Sequence, residues 1–169
     1  MNTSRFYFFS FLVLFLAQVL LFRPVQLWGE VHLLVYILFP LLFNQNANKI
    51  LVLFLSFALG LLIDLFSNTI GLHSSALLFI AFIRPTVLAF FRFKPNGSQI
   101  LIRFSELTFY QVISYLFLMI CIHQIYILTL NHGSQLSGIH LLSGLKNSLF
   151  SLLTIRVVAY LFEPKKNSY

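Results

Sequence analysis

The chain is poor in charge and poorest in acid: it has four Asp and Glu in 169 residues, and charged residues make up 9%. A soluble domain carries about 25% charged residues, so a water-soluble globular class is excluded. The single cysteine, Cys121, rules out an internal disulfide. It sits in an apolar run and reads as a small buried residue. No nucleophile stands beside a base, no two carboxylates pair, and no glycine-rich phosphate loop is present. No histidines have ligand spacing such as H-x-x-x-H. With so few acids these gaps argue against an enzyme, and neither a cofactor nor a metal is expected. Internal repeats and low-complexity tracts are also missing.

What the chain has instead is apolar bulk: 59% hydrophobic residues, 21 of them Phe, and a mean hydropathy of +0.91. Runs of about 17–24 apolar residues match the thickness of a bilayer core. Each span must satisfy its own backbone hydrogen bonds, which selects helices. The period-two alternation of a transmembrane barrel is lacking. The sequence therefore predicts an all-α polytopic integral membrane protein, a single transmembrane domain over 1–169 with about six helices. The candidate spans are 5–22, 27–43, 49–66, 73–91, 106–130 and 140–162. The second is the weakest. Its uninterrupted apolar core is only residues 33–43, Pro40 lies inside it, and Glu30 and His32 stand at its start. It reads either as a short tilted span or as a re-entrant segment. Arg5 and the apolar run 6–22 resemble a signal sequence, but the run is long for one and no A-x-A-like site follows. It reads as a retained first span.

The net charge is +7 and the pI about 9.9. The basic residues sit at the ends of apolar runs, which is the pattern of topology signals and anionic-lipid contacts and not of nucleic-acid binding. With six spans and the N-terminus inside, Arg5, Lys49, Arg92, Lys94, Arg103, Lys165 and Lys166 share one side. Arg23 stands alone on the other, and Arg84, Lys146 and Arg156 fall within spans. This bias places both termini in the cytoplasm. If the second segment does not cross, Arg5 faces the other way, so charge alone leaves five spans open. The outer loops 67–72 and 131–139 carry no charge. The inner loop 92–103 is the most basic and holds the turn Lys94-Pro95-Asn96-Gly97-Ser98.

Span three places Ser56, Gly60 and Asp64 at i, i+4 and i+8, with Asn68 one turn on, all on one face. Ser56-x-x-x-Gly60 is a small-xxx-small pair that admits another helix closely. Asp64 reads either as the end of a partner or ligand seam, or as a cap hydrogen-bonded to local amides. A charge inside a span costs roughly 2.5–3.5 kcal/mol on insertion scales, so a partner is expected. Lys146 lies at a similar depth in span six, which makes an Asp64–Lys146 pair one hypothesis beside the local cap. Arg84 lies about 16 Å below the outer end of span four; it either snorkels inward or pairs with Glu106. Pro85 removes a helix hydrogen bond and is expected to kink the span. Ser143, Asn147, Ser151 and Thr154 form a stripe that reads as glue between helices. His32, His73, His123, His132 and His140 all fall in the outer half and read as interfacial residues.

The run Gly60-x-x-x-Asp64-x-Phe66-Ser67, followed by Gly71-Leu72-His73, resembles the signature region of the rod shape-determining protein MreD family, in a Bacteroidetes-like form. The chain's size, hydropathy, basic ends and Arg84-Pro85 are similar to that family too. The resemblance covers nearly the whole chain, and its sharp part is one loop with its flanks. It implies a non-catalytic inner-membrane scaffold subunit of the bacterial cell-elongation machinery. The implied partners are an MreC-like periplasmic-facing protein, the actin-like MreB, the glycosyltransferase RodA and a class B penicillin-binding protein. It also implies a fold similar to the substrate-binding subunits of energy-coupling-factor transporters. Ser56, Gly60, Asp64, Ser67, Asn68, Gly71 and His73 are then the candidates for partner binding or packing. The alternative is a small-solute-binding membrane subunit of a transporter. Such subunits often carry an Ala-x-x-x-Ala seam on the first span, where this chain has only Ala17. A third option is an orphan membrane subunit whose polar residues serve only packing.

Overall fold

The computed structural model describes residues 3–22, 24, 26–27, 31–43, 47–91 and 107–162. Helix α1 (Thr3–Leu16) runs on into wider π turns at Ala17–Phe22. Two short strands follow, β1 (Gln26–Leu27) and β2 (Val31–His32), paired antiparallel with Gln26 opposite His32. A 3-10 turn at Val35–Ile37 and a single helical turn, α2 (Leu38–Leu41), come next. Four long helices complete the chain: α3 (Lys49–Ser67), α4 (Leu72–Phe90), α5 (Phe109–His132) and α6 (Gly138–Phe162).

The protein is an all-α polytopic membrane protein. Among the described residues five helices are long and apolar enough to cross a membrane: Arg5–Phe22, Lys49–Ser67, Leu72–Phe90, Phe109–Gln135 and Gly138–Tyr160. The side chains at their starts and stops explain their ends. Asn48 caps α3 by accepting hydrogen bonds from the amides of Ile50 at 3.0 Å and Leu51 at 3.3 Å. Asn68 ends α3 in the left-handed region, at φ 55°. Thr108 and Gln111 form a capping box at the start of α5. Helix α4 continues through Pro85 to Phe90. The basic loop 92–103 and Glu106 lie outside the described residues.

The weakest candidate span, 27–43, is no long helix where it is described. Every residue from 33 to 43 is buried, and its short elements touch α1, α3, α4 and α6. Two properties explain why it does not form a spanning helix. The apolar core is too short for a bilayer, and Pro40 cannot donate a helix hydrogen bond. Irregular backbone at membrane depth is tolerated only when protein surrounds it and satisfies its polar groups. Here α3 packs along α4, α4 along α5 and α5 along α6, and the segment lies among the helices.

Candidate functional site

The signature stretch becomes the hairpin between α3 and α4. Gly71 starts α4 at φ 74°, a backbone conformation suited to glycine, and it has no side chain to cap the helix. Asp64 supplies the cap from the preceding helix. Its Oδ1 accepts from the amide of His73 at 2.9 Å and from the Thr69 hydroxyl at 2.7 Å. Its Oδ2 accepts from the amide of Ser74 at 2.9 Å. His73 and Ser74 are the second and third residues of α4, whose amides an N-cap side chain normally satisfies. The helix dipole adds to the attraction for a carboxylate there. Asp64 is 2% exposed, so its charge is enclosed by these donors.

One turn earlier, α3 and α4 meet backbone to backbone. A Cβ at Gly60 would stand 2.4 Å from Ser74 Cα and 2.8 Å from His73 O. The small-xxx-small seam is therefore used inside the chain, between α3 and α4. Ser56, also on this face, is fully buried. An Asp64–Lys146 pair is not what holds the carboxylate: Lys146 lies exposed on α6, while Asp64 is occupied by Thr69, His73 and Ser74. The cap wins because two aligned amides and a hydroxyl sit within the same hairpin, whereas an exposed amine would have to give up water to reach a buried carboxylate.

The polar residues buried in the long helices converge on the segment 31–43. Gln18 donates to Leu33 O at 2.9 Å and accepts from the amides of Val35 at 2.8 Å and Tyr36 at 3.4 Å. Ser151 accepts from Leu34 N at 3.0 Å, and Asn147 from His32 N at 3.2 Å. Arg84 donates to Pro40 O at 3.0 Å and to Phe43 O, and its guanidinium lies 5.9 Å from the Phe43 ring centroid. Each of these side chains replaces a hydrogen bond that a regular helix would have made internally. The stripe on α6 thus splits. Asn147 and Ser151 hold the segment, while Thr154 bonds back to Phe150 O at 2.9 Å within its own helix. Glu106, the other partner considered for Arg84, lies outside the described residues.

A second polar cluster joins the segment to the hairpin. The Tyr36 hydroxyl lies 2.7 Å from His73 Nδ1 and 3.1 Å from His123 Nε2, with Tyr36 and His123 fully buried. The phenol has one proton, so it donates to one ring and accepts an N–H from the other. Both imidazoles meet the tyrosine ring edge to face, at 5.6 and 5.5 Å.

Above this cluster, at the end where the α3–α4 and α5–α6 turns lie, a cavity of about 490 Å³ opens. Val19, Phe22, Ile63 and Ile127 give it apolar walls; Gln18, Gln124, Asn131, His132, Ser143 and Asn147 give it polar groups. Ser67 and His73 of the signature stretch also line it. His132 stacks on His140 at 3.8 Å beside the α5–α6 turn. Among the described residues no three His, Cys, Asp or Glu side chains are placed to hold a metal ion.

No family model matches the chain, and comparisons with curated proteins and with solved structures give no match either.

Of the candidate residues, Gly60, Asp64, Gly71 and His73 come together in one hairpin. Asn68 ends α3 within it, and Ser67 faces the cavity. Sequence reasoning missed Gln18, Tyr36 and Gln124. Gln18 and Gln124 did leave a signal, as isolated amides inside apolar runs. Tyr36, among other aromatics, left none.

Proposed function

We propose that this chain is a non-catalytic scaffold subunit of the bacterial cell-elongation machinery, resident in the inner membrane with both termini in the cytoplasm, the buried segment 31–43 returning the chain from Asn147 near the turn end to Arg84 deeper in, between α1 and α3. In this reading it supports peptidoglycan synthesis and cell shape by docking an MreC-like periplasmic-facing protein. MreB, RodA and a class B penicillin-binding protein belong to the same assembly. The observation that supports the reading is the use made of Asp64. The most distinctive charge in the chain caps α4 and fixes a hairpin, which supports reading the signature stretch as a shaped surface element. The rigid hairpin would present residues 67–72 to a partner beside the outer leaflet. The experiment is co-purification from native membranes with an MreC-like protein of the same cell tagged. Stoichiometric recovery of this chain is expected. No enrichment at normal expression contradicts the proposal.

The cavity favours a second reading, that of a small-solute-binding membrane subunit of a transporter. Its size lies in the range of about 300–1,000 Å³ typical of ligand sites.

A further inference from the structure

We infer that His73 is a proton-binding site on the cavity wall, and that the Tyr36 hydroxyl relays its charge state to the buried ring of His123. The inference requires neither the scaffold reading nor transport.

Access singles out His73. Of the three residues in the cluster it alone keeps part of its surface exposed, and it lines the cavity. His123 is fully buried and lies outside the cavity wall. An imidazole is the side chain whose charge ordinarily changes between about pH 5 and 8. A charge within a span needs a counter-charge, and this site has one: the Asp64 carboxylate accepts from the amide of His73 itself at 2.9 Å. The other titratable groups come from two elements. Tyr36 and His123 meet at the ring, from the segment and from α5. His32 and His132 share the cavity, again from the segment and from α5. Among the described residues α1 and α6 bring only uncharged groups to it.

The relay follows from counting protons. Two hydrogen bonds meet at the Tyr36 oxygen, one with His73 Nδ1 at 2.7 Å and one with His123 Nε2 at 3.1 Å. The phenol supplies one proton and a ring nitrogen the other. His123 Nδ1 is buried without a hydrogen-bond partner among the described residues. A buried N–H without an acceptor is rarer than a bare acceptor, so the His123 proton belongs on Nε2, pointing at the phenol oxygen. The Tyr36 proton then points at His73 Nδ1, and His73 carries its own proton on Nε2. An added proton must therefore occupy His73 Nδ1. It brings a third proton to a chain with room for two. The Tyr36 proton loses its acceptor unless His123 gives up its Nε2 proton or draws away. The buried ring is thus made to respond to a proton bound at the cavity, and the segment that carries Tyr36 responds with it.

The experiment is a nitrogen NMR titration of the full chain, labelled at histidine, in lipid nanodiscs from about pH 8 down to about pH 4. His73 is expected to titrate as a single group. The Nε2 signal of His123 is expected to shift at the same midpoint, while His123 itself takes up no proton. In Tyr36→Phe, His73 should still titrate and the His123 response should vanish. His73→Gln should abolish that response as well, so either variant serves if the other fails to fold, and the wild-type titration decides the first two points alone. The inference is overturned by a His73 signal that ignores pH across the range, by a His123 signal that stays fixed while His73 titrates, by a separate midpoint for His123, or by a response that survives in folded Tyr36→Phe. Co-purification with the MreC-like protein reads a different property, so failure of the relay leaves the scaffold proposal standing, and the converse holds.

Discussion

Arg84 Nη1 donates a 3.0 Å hydrogen bond to the carbonyl of Pro40, deep among the helices, and a second one to the carbonyl of Phe43. The short apolar segment ends its helical turn at Pro40-Leu41, and an arginine from α4 donates to carbonyls at and beyond that end. Arg84→Met should take the guanidinium donor from both carbonyls and lower stability by about 2–4 kcal/mol. Arg84→Lys should recover only part of that, because a lysine amine lacks the planar fork. Reversible unfolding in nanodiscs measures both. Equal stability of Arg84→Met and the wild type would contradict the assignment.

Asp64→Ala removes an acceptor for two amides of α4 and a hydroxyl. The expected cost is about 2 kcal/mol. Asp64→Asn keeps one carbonyl oxygen and should lose roughly half as much. The comparison of the two midpoints separates a capping role from an ion pair with Lys146: in the capping account the effect of Lys146→Ala adds to that of Asp64→Ala.

The glycines of two helix contacts should respond differently. At Gly60 an added Cβ meets backbone, 2.4 Å from Ser74 Cα, so α3 and α4 must separate; Gly60→Ala should cost about 1–3 kcal/mol. At Gly144 the nearest atom is the end of the Leu128 side chain at 2.6 Å, which can rotate away. Gly144→Ala should therefore cost less than Gly60→Ala in the same assay. The reverse order would place the tight crossing between α5 and α6.

Tyr36→Phe deletes the hydroxyl shared by His73 and His123 and leaves two ring nitrogens without it. A loss of about 1–3 kcal/mol is expected. Nitrogen NMR shifts of the two imidazoles should change together in this variant, since one phenol sets both tautomers. A change at one ring only would contradict the shared hydrogen bond.

Five helices, their approximate ends and the α3–α4 turn were legible in the sequence, because long apolar runs and Asn, Gly and Pro signals are local. The capping role of Asp64 was legible as one of two readings. Its partners were ambiguous because Lys146 and the α4 amides lie at similar depth, and only the fold ranks them. The service of Gln18, Asn147, Ser151 and Arg84 to one segment was not legible. Asn147 and Ser151 look like helix glue and Arg84 like a snorkelling or paired charge, and their common target with Gln18, the backbone of 31–43, carries no side-chain signal. The cavity was equally hidden, since its walls come from α1, α3, α4, α5 and α6 together.

The account's central claim is that buried polar side chains hold an irregular internal segment in place. Hydrogen–deuterium exchange of residues 31–43 in lipid nanodiscs tests it most directly. The account predicts exchange as slow as in the buried part of α5, and at least tenfold faster exchange at the Val35 and Tyr36 amides in Gln18→Leu. Rapid exchange across 31–43 in the wild-type protein, or unchanged protection in Gln18→Leu, would contradict it.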